Sequence, residues 1–235
     1  MKLRWTSGLA IAVALVALAT FGFSDRVALA GDEYAEGASC TDCSCDAKAE
    51  PTAEVAFNEA PTAGLPVAPD FTLTSSAGNA HSLGDFAGKH VVLEWFNPDC
   101  PFVKKFYTSG KMQELQQAYA DQGVVWLAIQ STNPEHGNYY DAAGMTAKAA
   151  DWGINATAIL MDDDGAVGQA YGATTTPHMY IINPDGKLIY QGAIDSDSSA
   201  SPDAIPSATN YVQVVLDAAL LQSTDQYGCS VKYAQ

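Results

Sequence analysis

Apolar residues in the middle of the chain occur in continuous runs that alternate with one-sided patterns. Residues 90–96 and 124–129 are rich in β-branched and aromatic side chains, which is typical of strands buried within a sheet. Between them, Met112, Leu115 and Tyr119 recur at three- and four-residue steps, so this segment is predicted to be a helix with one buried face. Strands that alternate with helices predict an α/β domain.

The same alternation continues towards the C-terminus. Short strands are predicted at residues 158–161 and 178–182, with a short helix between them. Residues 183–186, Asn-Pro-Asp-Gly, are a turn signature, so residues 187–190 are predicted to pair back as an antiparallel strand. A closing helix is predicted at residues 211–221. These elements together predict a central mixed sheet flanked by helices.

Residues 1–30 have the three-part layout of a secretory signal peptide. A short basic start precedes an apolar run at residues 9–19, and the small residues at 28–30 suit a signal peptidase. Because the apolar run is short for a bilayer span, we expect cleavage after Ala30; an uncleaved anchor reaching Phe23 is the alternative. The mature chain is therefore expected to be periplasmic or extracellular, with no stable membrane span.

Composition divides the rest of the chain into three parts. Residues 31–67 are rich in Ala, Glu, Asp, Thr and Pro and predict a flexible acidic lead-in. Residues 68–221 carry the periodic pattern and are predicted to form the domain. Residues 222–235 form a polar C-terminal tail that carries Cys229.

The charge of the chain excludes one class of function. The sequence has 11 Lys and Arg residues against 27 Asp and Glu residues, a formal net charge of −16. This charge repels the phosphate backbone, so no nucleic-acid partner is expected. Both arginines, Arg4 and Arg26, lie in the predicted signal peptide, so the expected mature chain contains no arginine.

Cys100 is the strongest candidate for chemistry. It follows a predicted strand and precedes Pro101, which is well suited to the first position of a helix. A sulfur there faces open backbone N–H groups and the positive end of the helix dipole, which favour the nucleophilic thiolate. Lys104, one turn further on, would add positive charge on the same face. The alternative is a buried structural cysteine.

Several stretches of the sequence resemble the thioredoxin-fold redoxins of the alkyl hydroperoxide reductase and thiol-specific antioxidant group. The resemblance is carried by residues 68–73, residues 88–96, Cys100-Pro101, Tyr171-Gly172, Thr176-Pro177 and the turn at residues 183–187. Residues 97–105, together with residues 227–233, resemble a peroxiredoxin-like branch of secreted proteins. The resemblance implies a thioredoxin-like fold and a thiol-dependent oxidoreductase that needs no cofactor. It also implies that Pro177 is a cis-proline facing the reactive sulfur, and that Thr176 and Pro177 position the partner chain.

The sequence also departs from these families. Val103 stands where a Cys-x-x-Cys oxidoreductase carries its second cysteine. Asn97 stands where a peroxiredoxin has a threonine, and lysine cannot reproduce the planar donor fork of the missing arginine. Fast, arginine-assisted peroxide reduction is therefore not supported, although slower chemistry using Asn97, Lys104 and helix N–H groups stays open. The expected partners are a protein disulfide or hydroperoxide substrate and an external thiol reductant.

Two residues further along the chain are candidates for the same site. Cys229 can fold back as a resolving cysteine for Cys100, form a static disulfide with it, or be an unrelated tail cysteine. His178 is expected near Cys100 in a thioredoxin-like fold, where it would act as a base or a metal ligand. An ordinary strand histidine with a satisfied hydrogen bond is the alternative.

A cluster of cysteines in the acidic lead-in supports a second functional hypothesis. Cys40, Cys43 and Cys45 form a C-x-x-C-x-C pattern, and soft thiolates at this spacing can bind copper(I) or zinc. In an oxidising compartment two of them can instead form a disulfide. The alternative to a redox enzyme is therefore a thioredoxin-fold metal-binding protein or metallochaperone, and a third possibility is a domain that keeps the fold only.

Overall fold

The computed structural model describes residues 64–218 and 223–234. The predicted signal peptide, nearly all of the acidic lead-in, and Cys40, Cys43 and Cys45 lie outside the described residues. The predicted cleavage after Ala30 and the proposed metal site of the cysteine cluster therefore stay predictions.

Strands and helices alternate through most of the described chain. The strands are β1 Thr72–Ser75, β2 Ala80–Ser82, β3 Val91–Trp95, β4 Val125–Gln130, β5 Ala158–Met161, β6 Thr175–Thr176, β7 His178–Ile182, β8 Leu188–Gly192 and β9 Cys229–Ser230. The α-helices are α1 Pro101–Thr108, α2 Lys111–Ala120, α3 Ala142–Trp152, α4 Ala166–Tyr171 and α5 Tyr211–Ala218. Two short 3₁₀ helices span Leu83–Phe86 and Pro202–Ser207.

Seven of these strands form one mixed sheet in the order β2-β1-β5-β4-β3-β7-β8. β3, β4 and β5 are parallel, whereas β7 pairs antiparallel with both β3 and β8. The predicted α/β class and the central mixed sheet flanked by helices are confirmed. β2, β6 and β9 are too short to stand out in the sequence pattern.

The central strands are buried because helices cover both faces of the sheet. Every residue of β3 and β4 is buried, which explains why these strands read as continuous apolar runs. Alternate residues of β3 face two separate cores: Val92 packs with residues from α1, α2, α3 and α5, whereas Leu93 packs with Tyr171 of α4.

The helical region after Cys100 is divided into two helices. Ser109 ends α1, where its Oγ donates to the Lys105 and Phe106 carbonyl oxygens. Gly110 follows with a φ of 78°, a left-handed conformation that favours glycine, and α2 begins at Lys111. The predicted one-sided face of Met112, Leu115 and Tyr119 is buried on α2.

The C-terminal segment (residues 223–234) is attached to the domain by backbone pairing. Its strand β9 pairs antiparallel with β6, Thr176 lying opposite Cys229. Near its start, the Thr224 N–H donates to the Gln191 carbonyl oxygen at 3.2 Å, and Thr224 Oγ1 accepts from the Ala193 N–H at 3.0 Å. The C-terminal segment therefore runs from the β8 edge of the sheet to the end of β3, where Cys100 lies.

Candidate active site

Cys100 lies at the junction of β3 and α1. It is the N-cap residue of α1, and Pro101 occupies the first helical turn. The side chain is buried, the whole residue being 3% exposed, and Sγ donates to the Thr176 carbonyl oxygen at 3.0 Å. Val103, at the position of a second cysteine in Cys-x-x-Cys proteins, is fully buried in the core. A partner thiol for Cys100 must therefore come from another part of the chain.

The segment opposite Cys100 contains Thr176 and Pro177. The peptide bond between them is cis, and both residues are buried. Thr176 belongs to β6 and presents its carbonyl oxygen to the Cys100 sulfur, while its hydroxyl donates to the Cys229 carbonyl oxygen at 3.4 Å. Thr176 therefore touches both cysteines of the described chain.

Cys229 is the second thiol of the site. β9 places it opposite Thr176, it lines the same cavity as Cys100, and both cysteines are free thiols. Burial raises the pKa of the Cys229 thiol, and the neighbouring Cys100 raises this pKa further. Lys232 acts on it in the opposite direction. Burial and the neighbouring Cys100 thus favour the protonated form of Cys229.

The close approach of β9 to β6 depends on Gly228. Its φ is 135°, and a Cβ at this position would overlap the Thr176 carbonyl oxygen. Any larger residue would force β9 and Cys229 away from β6. Gly228 is a functional candidate that the sequence reasoning did not single out, although it directly precedes Cys229.

A buried polar cluster anchors the C-terminal segment just before Cys229. The Lys105 ammonium group of α1 is buried and lies 3.1 Å from Asp195 Oδ2 and 2.8 Å from the Asp197 carbonyl oxygen. The Tyr227 hydroxyl donates to the other Asp195 oxygen, and its ring packs edge-on against Phe102 at 5.8 Å between centroids. The helix that begins after Cys100 is therefore tied to the segment that carries Cys229.

A cavity of about 220 Å³ opens beside the two thiols. The sequence-predicted residues Asn97, Cys100, Thr176 and Cys229 line it. Its other lining residues are Trp95, Phe96, Asp99, Ser131, Thr132, Asn138, Ser230, Val231 and Lys232. The C-terminal segment thus forms one wall of the cavity that leads to Cys100.

Asn97 uses its side chain to hold the walls of this cavity in place. Its Nδ2 donates to Thr132 Oγ1 at 2.9 Å and to the Asn138 carbonyl oxygen at 3.0 Å. Its Oδ1 accepts from the Asp99 backbone N–H at 2.8 Å. Both amide protons are therefore engaged by the protein, which leaves no Asn97 donor free for a bound peroxide.

Lys104 and His178 lie outside the lining of this cavity. Lys104 is about half exposed and pairs with Asp99 at 3.6 Å. His178 is buried in β7, where Nδ1 accepts from the Thr174 N–H at 3.4 Å and lies 3.3 Å from the Tyr180 hydroxyl. Burial lowers the pKa of His178 to about 4, so it is neutral at physiological pH. These contacts match the alternative of a strand histidine with satisfied hydrogen bonds.

Glu94 is a buried carboxyl group that the sequence reasoning missed. It lies in β3 and accepts hydrogen bonds from the Tyr107 hydroxyl at 3.0 Å, the Trp126 indole at 2.9 Å and the Gln116 amide at 3.4 Å. Burial raises its pKa to about 7, although these three hydrogen bonds act in the opposite direction. The sequence signal for this buried carboxyl group is a charged residue within an otherwise apolar strand pattern.

Neither a cluster of metal-ligating side chains nor a membrane-spanning helix occurs in the described part of the chain. Among residues 64–218 and 223–234, no group of three or more His, Cys, Asp or Glu side chains is arranged to hold a metal ion. Within the same ranges, no helix is both long and apolar enough to cross a membrane.

A cysteine at the start of the first long helix, a facing cis-proline segment and a mixed sheet with covered faces define a thioredoxin-like protein with two neighbouring thiols. The chain belongs to the AhpC/TSA family, whose model matches residues 66–191. The resemblance and the thioredoxin-like fold expected from the sequence are confirmed.

Similar proteins include curated relatives and solved structures. Over 123 residues, the chain is 29% identical to the thiol-disulfide oxidoreductase ResA of Geobacillus thermodenitrificans, a match that covers 52% of this chain and 64% of that protein. The chain therefore spans just under two thirds of the length of that relative.

Two crystal structures match a larger share of the chain. A hypothetical protein from Sinorhizobium meliloti 1021 matches with a TM-score of 0.61 and 22% identity, covering 72% of this chain and 94% of that one. An uncharacterized conserved protein from Geobacillus kaustophilus matches with a TM-score of 0.60 and 26% identity, covering 72% of this chain and 92% of that one. These likenesses support the fold.

Proposed function

We propose that this protein is a thiol-disulfide oxidoreductase in which Cys100 attacks the substrate and Cys229 resolves the intermediate. The observation that carries the proposal is the proximity of two free thiols: Cys100 at the N-terminus of α1 and Cys229 on β9 both contact Thr176 and line the same cavity. Membership of the AhpC/TSA family and similarity to a thiol-disulfide oxidoreductase support thiol-based redox chemistry. Cys100 and Cys229 lie far apart in the sequence. In the proposed reaction they play the part of the two cysteines of a Cys-x-x-Cys motif.

The reaction consists of two thiol-disulfide exchanges. The Cys100 thiolate attacks one sulfur of the substrate disulfide, forming a mixed disulfide and releasing the first substrate thiolate, which takes up a proton. Cys229 then loses its proton and attacks the Cys100 sulfur, releasing the second substrate thiolate. The substrate gains two electrons and the protein is left with a Cys100–Cys229 disulfide. An external dithiol reduces this disulfide and completes the cycle.

The environment of Cys229 sets the order of these steps. While Cys100 is a thiolate, its charge raises the pKa of Cys229, so Cys229 stays protonated. Formation of the mixed disulfide removes the Cys100 charge, and Lys232 continues to lower the pKa of Cys229. The second thiol therefore becomes more acidic only after the first has reacted. Cys100 acts first and Cys229 second.

Other residues of the site position these groups. Pro101 starts α1 directly after the nucleophile, Thr176 and Pro177 form the wall opposite it, and Asn97 holds the loop that lines the cavity. Lys104, one turn into α1, pairs with Asp99 and lies outside the lining of the cavity. The proposed location is the periplasm or the cell exterior, on the basis of the signal-like pattern of residues 1–30.

Hydroperoxide reduction by Cys100 is the less favoured form of the reaction. A bound peroxide needs directed donors, and the amide donors of Asn97 are engaged by Thr132 and Asn138. The two arginines of the sequence, Arg4 and Arg26, precede the described residues. Disulfide exchange requires only the thiol pair, so it is the better supported reaction.

Disulfide mapping of the purified protein tests the proposal. The experiment uses a variant in which Cys40, Cys43 and Cys45 are replaced by serine. Cys100 and Cys229 are then its remaining cysteines. We expect one equivalent of a low-molecular-weight disulfide to produce a Cys100–Cys229 link, detected by mass spectrometry, and two equivalents of released thiol. Persistence of Cys100 as an unmodified thiol under these conditions would refute the proposed function.

A further inference from the structure

The backbone edge next to Cys100 is occupied by the chain itself. β9 pairs with both residues of β6, and the Val231 N–H donates to the Thr174 carbonyl oxygen at 3.0 Å. The Thr176 carbonyl oxygen accepts from Cys100 Sγ. An extended peptide that binds a protein by adding a strand needs a free edge of this kind. The edge of β6 that pairs with β9 is therefore closed to such a peptide while β9 is in place.

The C-terminal segment is held on both sides of Cys229. Before it, Gln226 Nε2 donates to Thr174 Oγ1 at 3.1 Å. After it, the Asn133 N–H donates to the Lys232 carbonyl oxygen at 2.7 Å, and the Tyr233 hydroxyl donates to the Ala173 carbonyl oxygen at 2.8 Å. Breaking these contacts would require detachment of several hydrogen-bonded residues at once.

In the described part of the chain, the cavity beside β9 leads to the Cys100 sulfur. Its volume of about 220 Å³ is below the ~300–1,000 Å³ of pockets that hold drug-sized ligands. A disulfide within a polypeptide brings backbone on both sides of the reacting sulfur, and this backbone would collide with β9. A small disulfide carries no such backbone.

Given the proposed function, we infer that Cys100 reacts with low-molecular-weight disulfides, and that the C-terminal segment excludes protein disulfides. In the first step the Cys100 thiolate bonds to one sulfur of the small disulfide, whose S–S bond breaks to release one small thiolate. In the second step Cys229 displaces the other small thiol, and the external dithiol of the proposed cycle restores the protein. The C-terminal segment thus supplies the resolving thiol and restricts the substrate.

The first test compares a small and a protein disulfide as electrophiles for Cys100. Full-length protein with Cys229→Ser and serine at Cys40, Cys43 and Cys45 stops at the mixed disulfide, whose formation is followed by mass spectrometry. The probes are 2-hydroxyethyl disulfide and insulin. For each probe, the rate of reaction with Cys100 is divided by its rate of reaction with free glutathione, which gives a normalised rate that corrects for the intrinsic reactivity of the probe. We expect the normalised rate to be at least ~10-fold higher for the small probe, because only molecules with a detached segment can react with insulin.

Loosening the C-terminal segment provides the second test. Val231→Pro removes the N–H that donates to Thr174, whereas Val231→Ala keeps it and serves as the matched control. Both changes are made in the same Cys229→Ser background, and circular dichroism confirms that each variant is folded. We expect Val231→Pro to increase the normalised insulin rate severalfold more than Val231→Ala does, because Val231→Ala shortens the same cavity-lining side chain but keeps the N–H.

The outcomes separate this inference from the proposed function. Equal normalised rates for insulin and the small disulfide in the parent protein would overturn the inference and leave disulfide exchange by Cys100 intact. An unchanged insulin rate in folded Val231→Pro would also contradict the role of the C-terminal segment. If neither probe modified Cys100, the proposed function itself would fail.

Discussion

The two cysteines of the site are held by different kinds of structure. Cys100 lies where β3 meets α1, and it is packed in the main core together with Phe96 and Val103. Cys229 lies on a two-residue strand, and its segment is held largely by hydrogen bonds, many of them to backbone carbonyl oxygens. The proposed nucleophile is therefore placed by the core, whereas the proposed resolving thiol is placed by a segment held mainly by hydrogen bonds.

The buried charged groups of the domain also differ in the way they are compensated. Glu94 is surrounded by neutral hydrogen-bond donors, and its pKa is raised to about 7. Lys105 and Asp195, in contrast, form a buried ion pair that also accepts the Tyr227 hydroxyl. Substitution of Glu94 should therefore change the pH dependence of stability, whereas substitution of Tyr227 should change the attachment of the C-terminal segment.

Substitution of the cysteines is expected to have the largest effect. Cys100→Ser should abolish disulfide reduction, because a hydroxyl is not a nucleophile towards disulfides under these conditions. Cys229→Ser should still form the mixed disulfide but should not resolve it, so turnover stops after one thiol is released. Release of one equivalent of thiol by Cys100→Ser, measured with a thiol-reactive dye, would show that the roles are assigned wrongly.

The next largest effect is expected from Glu94→Gln, on the pH dependence of stability. The pKa of Glu94 is about 7 in the folded protein against 4.5 for the unperturbed group, so the folded state binds more protons between these values. The parent should therefore lose roughly 3 kcal/mol of unfolding free energy as the pH rises from about 4.5 to above 7.

In Glu94→Gln this loss should disappear, whatever the absolute stability of the variant. Urea unfolding of the parent and the variant at several pH values measures the difference. Equal pH slopes for the two proteins would contradict the raised pKa. Glu114→Gln, a change of an exposed carboxyl group of α2, is the matched control and should keep the parent slope.

Gly228→Ala is expected to separate the two thiols without removing either. The added Cβ overlaps the Thr176 carbonyl oxygen, so β9 must move, and a displacement of about 1 Å can cost ~100-fold in rate. Resolution by Cys229 should slow by this order, while formation of the mixed disulfide at Cys100 should remain at least as fast as in the parent.

Gly172→Ala is the control for Gly228→Ala. Gly172 also has a positive φ, of 68°, but a Cβ there meets nothing within 4 Å. Gly172→Ala therefore introduces the backbone strain of a positive φ without the collision that Gly228→Ala makes with the Thr176 carbonyl oxygen. Rapid quenching and mass spectrometry measure both steps, and equal resolution rates for the two variants would show that the collision is unimportant.

Tyr227→Phe is expected to have the smallest effect of the four. It removes the hydroxyl that donates to Asp195 and leaves the Lys105–Asp195 pair in place. A hydrogen bond to a charged group contributes about 1.5–3 kcal/mol, so the C-terminal segment should detach more often. Amide hydrogen exchange of Val231, whose N–H bonds to Thr174, should accelerate more than in Tyr233→Phe, which loses a bond to a neutral carbonyl oxygen. Equal acceleration would contradict this anchor.

Much of the core fold could be predicted because local patterns determine it. Apolar runs predicted β3 and β4, the Asn-Pro-Asp-Gly turn predicted the hairpin of β7 and β8, and Asn183 forms that turn by accepting from Lys187 and Asp185 N–H groups. The reactive position of Cys100 followed from the same kind of local evidence, since a strand followed by Pro101 marks a helix start.

The buried charged residues could be predicted less well. Glu94 and Lys105 are both buried, but their burial depends on partners 13 to 92 positions away. Charged side chains are usually exposed, so the sequence alone favoured an exposed Lys105. Its burial can be expected only once its pairing with Asp195 is known. His178 differs from these residues, because its contacts with Thr174 and Tyr180 join positions only four and two residues away.

By itself, the sequence determined the α/β class, the family resemblance and the place of Cys100 at the start of a helix, because these depend on residues close together in the chain. Only the tertiary structure decided that Cys229 meets Cys100. That contact joins positions far apart in the chain through β6 and β9, two strands of two residues each, and it needs the missing side chain of Gly228. Pairing between such short strands leaves no periodic signal in the sequence, so it is set by the packing of the whole C-terminal segment.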